Sequence, residues 1–217
     1  LDRDAARWAW RLRLDQPGAE VYVEESGGAV TALVAYRRDR DDAGQSGALI
    51  RVGDVFALDA GGWQRILALV GSSSTVTSTV EVNASVRELE HFVVDPEPTV
   101  HDHHSWMLRV VDAPAAVAGR GFPAGVTAQV DLELVDDELP GNAGRWRLEV
   151  AGGAGRLERG GEGHVGLRPG GLAALYAGRL DPESLQRLGL LRADRPAAYA
   201  GLAAAFAGPA AHCWDYF

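Results

Sequence analysis

The chain has 217 residues, enough for one large domain or two small ones, and 47% hydrophobic with 24% charged residues excludes a disordered or fibrous protein. Its formal net charge of −9, with every one of its 21 basic side chains an arginine, argues against nucleic acid as a partner and suits equally a cationic ligand or an acidic surface kept for solubility. One cysteine excludes an internal disulfide framework and fits a reducing, cytoplasmic setting; no run approaches the roughly 18 apolar residues of a membrane span.

The spacing predicts a helix at Arg7–Leu14, with Ala5, Trp8 and Leu12 on one face, stopped by Pro17-Gly18. Strands at Ala19–Glu25 and Ala29–Arg38 flank Ser26-Gly27-Gly28, a hairpin signal, and a charged loop, 39–44, leads to a third strand at Ala48–Leu58. Asp59 is placed to cap a helix over Ala60–Val70, and alternating Val and Ser/Thr predicts a strand at Ser72–Val82. The proline-bounded stretch 95–104 reads as a linker, after which the pattern restarts. A strand is expected at Trp106–Val111, a short helix opened by Asp112-Ala113-Pro114, and strands at Thr127–Val135, Arg145–Val150 and Gly155–Leu167, the last broken at Gly160-Gly161. Helices at Gly171–Ala177, Pro182–Leu188 (capped by Asp181) and Ala197–Ala207 complete an α+β chain of two domains.

Few residues carry a chemical signal. His101-Asp102-His103-His104 offers metal-ligand types, yet without a second Cys/His group at a recognised spacing it reads as a solvated loop, and no metal is expected. Gly152-Gly153-Ala154-Gly155 and Gly160-Gly161-Glu162-Gly163 look like phosphate loops, but both lie between strands and read as hairpin turns. The last six residues, His212-Cys213-Trp214-Asp215-Tyr216-Phe217, put three aromatic rings beside the terminal carboxylate. Such apolar area is worth roughly 1.5–3 kcal/mol per large side chain when buried, so the terminus is expected to be tucked in, carrying a charge that needs a partner or a task. Leu1 is not an initiator methionine, which suggests a piece of a longer chain.

Arg168-Pro169-Gly170-Gly171-Leu172-Ala173 is similar to the Arg-x-x-Gly-x-Ala pyrophosphate loop of GNAT acetyltransferases, in which backbone N–H groups at a helix N-terminus grip acetyl-CoA. Pro169 removes one of those donors, so a plain strand-to-helix turn is the expected reading.

A broader resemblance covers the whole chain. Trp106-Met107-Leu108-Arg109-Val110-Val111-Asp112-Ala113-Pro114-Ala115-Ala116-Val117-Ala118, Asn142-Ala143-Gly144-Arg145-Trp146-Arg147-Leu148-Glu149, Leu172-Ala173-Ala174-Leu175-Tyr176-Ala177-Gly178 and the tail ending in Phe217 resemble the C-terminal part of the Eis (enhanced intracellular survival) family of N-acetyltransferases. That resemblance implies a second GNAT-like domain unable to bind acetyl-CoA at 1–104, with a mixed sheet and helices. A sterol-carrier-protein-like α/β sandwich with a buried tail would follow at 105–217. It also implies that acetyl-CoA binds in an N-terminal GNAT domain outside this sequence and that the assembly is a homo-oligomer, a hexamer. The acceptors would be amines, aminoglycoside-like molecules or lysine side chains. By the same resemblance the Phe217 α-carboxylate is the general base. A free α-carboxyl, with a pKa of about 3.3–3.7, becomes a better base when buried. Asp215 is a candidate for holding the cationic substrate, with a surface role as the alternative; Tyr216 carries no assigned role. Two rival readings stay open: a sterol-carrier-like module holding an apolar ligand between sheet and helices, and an oligomerisation module.

Overall fold

The computed structural model describes residues 3–12, 18–40, 48–75, 77–83, 99–100, 105–208 and 211. They fall into two compact units, one within residues 1–103 and one spanning 104–211. The architecture is α+β, with one mixed sheet and its helices in each unit.

The first unit runs α1 (Ala5–Leu12), β1 (Ala19–Ser26), β2 (Ala29–Arg40), β3 (Ala48–Ala57), α2 (Ala60–Gly71) and β4 (Thr77–Val82), with sheet order β1-β2-β3-β4. Gly27 and Gly28, at φ +61° and +80°, turn β1 into β2; both central residues of this tight hairpin need the left-handed region, which glycine enters freely. β2 and β3 are antiparallel, and α2 carries the chain over the sheet so that β4 pairs parallel to β3. Ala32, Val34 and Tyr36 of β2 and Ile50 and Val52 of β3 pack with Ile66 and Val70 of α2. The strand expected from Ser72 begins only at Thr77, because residues 72–75 continue the exit turn of α2, with the Ser72 N–H still bonded to the Ala68 carbonyl.

The register of β2 against β3 slips at Gly53: Ala35 faces Asp54 while Tyr36 faces Val52. This bulge sets Asp54 at 6% exposure, where it accepts from Arg3 at 3.1 Å and from Arg11 at 2.8 Å. The two arginines pin α1 to β3, and Arg11 adds a bond to the Gly53 carbonyl at 3.0 Å. Gly53, a glycine inside a strand, fits the bulge.

The second unit contains α3 (Ala113–Gly119), β5 (Ala128–Leu134), β6 (Gly144–Ala151), β7 (Ala154–Arg159), β8 (Val165–Leu167), α4 (Pro169–Tyr176), α5 (Pro182–Arg187), β9 (Leu191–Ala193) and α6 (Pro196–Ala205). Its sheet order is β7-β6-β5-β8-β9, with β5 and β8 parallel. Gly152-Gly153, φ +57° and +84°, form the expected hairpin between β6 and β7. Gly160–Gly163 do not form one: they lead from the edge strand β7 to β8, with β6 and β5 lying between them in the sheet. The predicted break at Gly160-Gly161 therefore separates two strands rather than the arms of a hairpin.

No strand forms at 106–111. Its Asn142 anchor replaces a ladder: the buried Asn142 amide donates to the Val110 carbonyl at 3.0 Å and to the Val111 carbonyl at 3.3 Å, and its oxygen accepts from the Ala113 N–H at 2.9 Å. Arg109 adds a bond to Asp136 at 2.7 Å, while Met107 is 99% exposed. Trp146 donates its indole N–H to the Asn142 carbonyl at 2.7 Å, linking this anchor to the core.

Candidate functional site

Phe217 and Asp215, with Tyr216 and the rest of the last six residues, lie outside the described residues, as do His101–His104. Of the sequence-derived candidates, the described residues therefore place only the turns and glycine loops that resemble phosphate sites.

Anions bind where a strand runs into a helix whose first N–H groups point at empty space. The first unit has such a place at the β3–α2 turn, the start of a parallel β-α-β crossover. The chain has filled it itself. The Asp59 side chain accepts from the Gly62 N–H at 2.7 Å, as its capping position predicted. Arg65, one turn on, is committed to Glu24 through two bonds at 2.8 and 2.5 Å. Gly62 is needed for another reason: a Cβ there would sit 3.0 Å from Ala57 Cβ and 3.2 Å from Ala32 Cβ, so it lets α2 lie close on the sheet. A pyrophosphate brought to this turn meets a carboxylate at the place of its counter-dipole, and the described residues do not fit acetyl-CoA here.

The Arg168 turn is closed differently. Arg168 precedes α4 without a side-chain cap, and its N–H is spent on the Leu190 carbonyl at 3.2 Å. Pro169 has no N–H to offer. Gly171 is so close to the Leu190 backbone that a Cβ would overlap the carbonyl oxygen, so chain occupies the space a phosphate needs. The strand-to-helix turn expected from the sequence is what forms. At Gly160–Gly163 the occupant is again an acid: the Asp131 carboxylate accepts from the Glu162 N–H at 2.9 Å and from Arg147 at 3.1 Å.

The described carboxylates with displaced titration all move away from basicity. Bonds from the Ser184 backbone and hydroxyl hold Asp181 low, and the Arg37 bond does the same for Asp39. Burial pushes Asp131 and Asp136 up, but Arg147 and the Glu162 N–H overcome it for the first, and the Leu139 N–H with Arg109 for the second; both end below the ordinary range. Tyr22, bonded to Glu20, is pushed up to about 12 and stays protonated. A general base working near neutral pH needs the opposite displacement of a carboxylate. Among the described residues no group of three or more His, Cys, Asp or Glu is arranged to hold a metal ion.

Between sheet and helices of the second unit the space is filled. Leu172, Leu175 and Leu202 meet Val130, Leu132 and Leu148 in one cluster, and a Cβ at Gly201 would lie 3.3 Å from a Val130 methyl. An open groove of about 750 Å³ lies outside this core between α5, β9 and α6. Its acids are already engaged: Asp181 caps α5, Glu183 pairs with Arg187 at 2.8 Å, and Asp194 lies 3.3 Å from His164. No helix among the described residues is long and apolar enough to cross a membrane.

Comparison with known proteins agrees with this division. The family profile described as Acetyltransferase (GNAT) domain matches residues 1–110, and that described as Sterol carrier protein domain matches residues 113–214. None of the curated proteins matches the sequence. A GCN5-related N-acetyltransferase from Anabaena variabilis superposes with a TM-score of 0.84 at 27% identity, over 100% of this chain and 55% of its own. One from Kribbella flavida gives 0.75 at 34% identity, over 93% and 49%. Eis1 from Mycobacterium abscessus shares the fold, with a TM-score of 0.71 at 24% identity over 97% and 54%. The chain thus spans about half the length of the solved relatives it matches. With the GNAT profile covering half of its length and a sterol carrier protein domain behind it, the chain belongs to the GNAT acetyltransferase domain family.

Proposed function

We propose that this chain is the C-terminal portion of an acetyl-CoA-dependent N-acetyltransferase of the Eis type, and that it supplies the catalytic base rather than the coenzyme site. Residues 1–104 are then a second GNAT-like domain that does not bind acetyl-CoA, and 105–217 a sterol-carrier-like domain whose tail is buried. The observation that carries this reading is the β3–α2 turn, where a GNAT-family sheet presents a helix N-terminus already taken by Asp59. A chain of this family with that turn closed needs its coenzyme held elsewhere, and the relatives are about twice as long.

Acetyl transfer to an amine requires that the ammonium lose a proton before nitrogen attacks the thioester carbonyl; the new amide C–N bond forms as the C–S bond breaks and coenzyme A leaves as thiol. The described carboxylates with displaced titration are held in their charged form, which makes them poorer bases. The α-carboxylate of Phe217, buried by its own aromatic neighbours, is the group suited to take the proton, directly or through a water. Acetyl-CoA, when bound by the preceding domain, supplies the acyl group. Asp215 adds negative charge beside an aminoglycoside-like or lysine amine, and the active protein is a homo-oligomer.

The test is to append three glycines after Phe217 in the complete protein and follow acetylation of an aminoglycoside. Turnover should fall about 100-fold or more, as for a displaced catalytic group, with the fold unchanged. A rate unaffected by the extension removes the carboxylate from the reaction. Acetylation by residues 1–217 alone would remove the need for a further domain. The filled space between sheet and helices speaks against the apolar-ligand module; retention of a fluorescent fatty acid by this chain would revive it.

A further inference from the structure

We infer that His164 is a proton-operated latch: as an imidazolium it ties the β7–β8 connection to the turn that opens α6, and on losing its proton it lets that turn go.

His164 immediately precedes β8. Its ring lies between two carboxylates. Nε2 is 2.7 Å from Glu162 of the same connection, and Nδ1 is 3.3 Å from each oxygen of Asp194, the residue that follows β9. A neutral imidazole has one N–H to donate and one lone pair; only the imidazolium donates from both nitrogens. With a carboxylate at each nitrogen, both bonds exist in the charged form alone, and in the neutral form a lone pair faces a carboxylate. The His164 side chain is only 18% exposed, which leaves water little room to replace the lost donor.

The surrounding charges fit the same reading. Asp131 of β5 accepts the Glu162 N–H at 2.9 Å and pairs with Arg147 of β6 at 3.1 Å, and Arg195, beside Asp194, lies 3.6 Å from Glu162. Within this connected cluster three carboxylates, Asp131, Glu162 and Asp194, meet two guanidiniums, and a charged His164 evens the balance. Around it, Glu133 of β5 pairs with Arg192 of β9 at 3.3 Å, and Arg145 of β6 flanks Gly163.

The latch acts at an edge. β9 is the outermost strand of its sheet and joins β8 through three paired residues, and the Asp194 N–H extends that ladder onto the His164 carbonyl at 3.2 Å. Asp194 and Arg195 also line the groove between α5, β9 and α6. Histidine is the side chain that ordinarily changes charge between about pH 5 and 8. Protonated, His164 fixes this wall of the groove; once it is neutral, Asp194 loses its donor and the end of β9 opens.

The experiment follows the Asp194 amide of the whole 217-residue chain by NMR from pH 5 to 8. It reads hydrogen-exchange protection relative to an unstructured amide at the same pH, with the His164 ring nitrogen shifts recording the charge. Protection should fall about 10-fold or more as His164 loses its proton, as for the loss of one hydrogen bond to a charged group. His164→Gln, which takes no charge, should show low protection at every pH. Asp194→Asn, which leaves the ring in place, should remove most of the fall, and it carries the test if the Gln variant does not fold. A ring that keeps one charge state over this range overturns the latch. So does a native profile that stays flat while the ring titrates, or a fall of undiminished size in either variant.

Discussion

The two units hold themselves together by different means, and the difference bears on where function resides. In the first, one face of a four-stranded sheet packs on α2 while α1 is tied to β3 through the Arg3–Asp54–Arg11 cluster. Ion pairs run across its strands as well, from Glu20 to Arg38 at 2.9 Å and from Arg51 to Glu81 at 2.9 Å. In the second, helices α3 to α6 close over a five-stranded sheet with an almost wholly apolar interior. The first carries Asp59 at the N-terminus of the helix that opens its parallel crossover; the second fills the space between sheet and helices with apolar side chains.

The sharpest way to break this contrast is at the core of the second unit. Trp146→Ala removes a ring buried to 4% together with its bond to Asn142, and should cost about 3–5 kcal/mol in denaturant unfolding. A loss of less than about 1 kcal/mol would mean that this core does not hold the unit. In the first unit Asp54→Ala leaves two arginines facing each other without their shared acid, and a loss of about 3 kcal/mol is expected. A change indistinguishable from that of a surface residue would detach α1 from the stability of the sheet.

Smaller effects sharpen the comparison. Asp59→Ala should cost about 1 kcal/mol, the usual loss for an N-cap, whereas Asp59→Ser should cost far less because a hydroxyl can accept the same Gly62 bond. Equal losses would show that the cap bond is not what the carboxylate provides. At Asp181 the folded-state pKa is depressed, so its contribution is fully present above the unfolded value of about 3.9 and disappears as pH falls through the folded value. The protection factor of the Ser184 amide, its exchange relative to an unstructured amide at the same pH, should therefore fall in acid, and Asp181→Asn should weaken that dependence. The smallest effect is expected for Arg65→Ala: its pair with Glu24 is exposed and screened by water, so the unfolding midpoint should barely move, and less still at high salt.

Local signals made most of the fold legible. Asp59, Asp112 and Asp181 each accept the N–H bond that their positions before a helical run predicted, and the glycine pairs at 27–28 and 152–153 each make a hairpin. Long-range features were not legible. β9 is three residues whose strand character comes from pairing with β8, and 106–111 has strand composition but takes its backbone partner from a buried asparagine about thirty residues away. Arg120 gathers rings from Phe122, Tyr176 and Phe206, a meeting that no spacing announces. Of the proposed site, the sequence offered an aromatic terminus and a family resemblance. The closing of both helix N-termini needed Leu190 and Gly62 in place.

The most direct measurement is a calorimetric titration of acetyl-CoA into residues 1–217. With Asp59 in the one turn and Leu190 in the other, the prediction is no binding at millimolar coenzyme, and binding once the N-terminal domain proposed above is present on the same chain. Saturable micromolar binding to residues 1–217, lost when the β3–α2 turn is altered, would place the coenzyme in this chain and contradict a role confined to supplying the base.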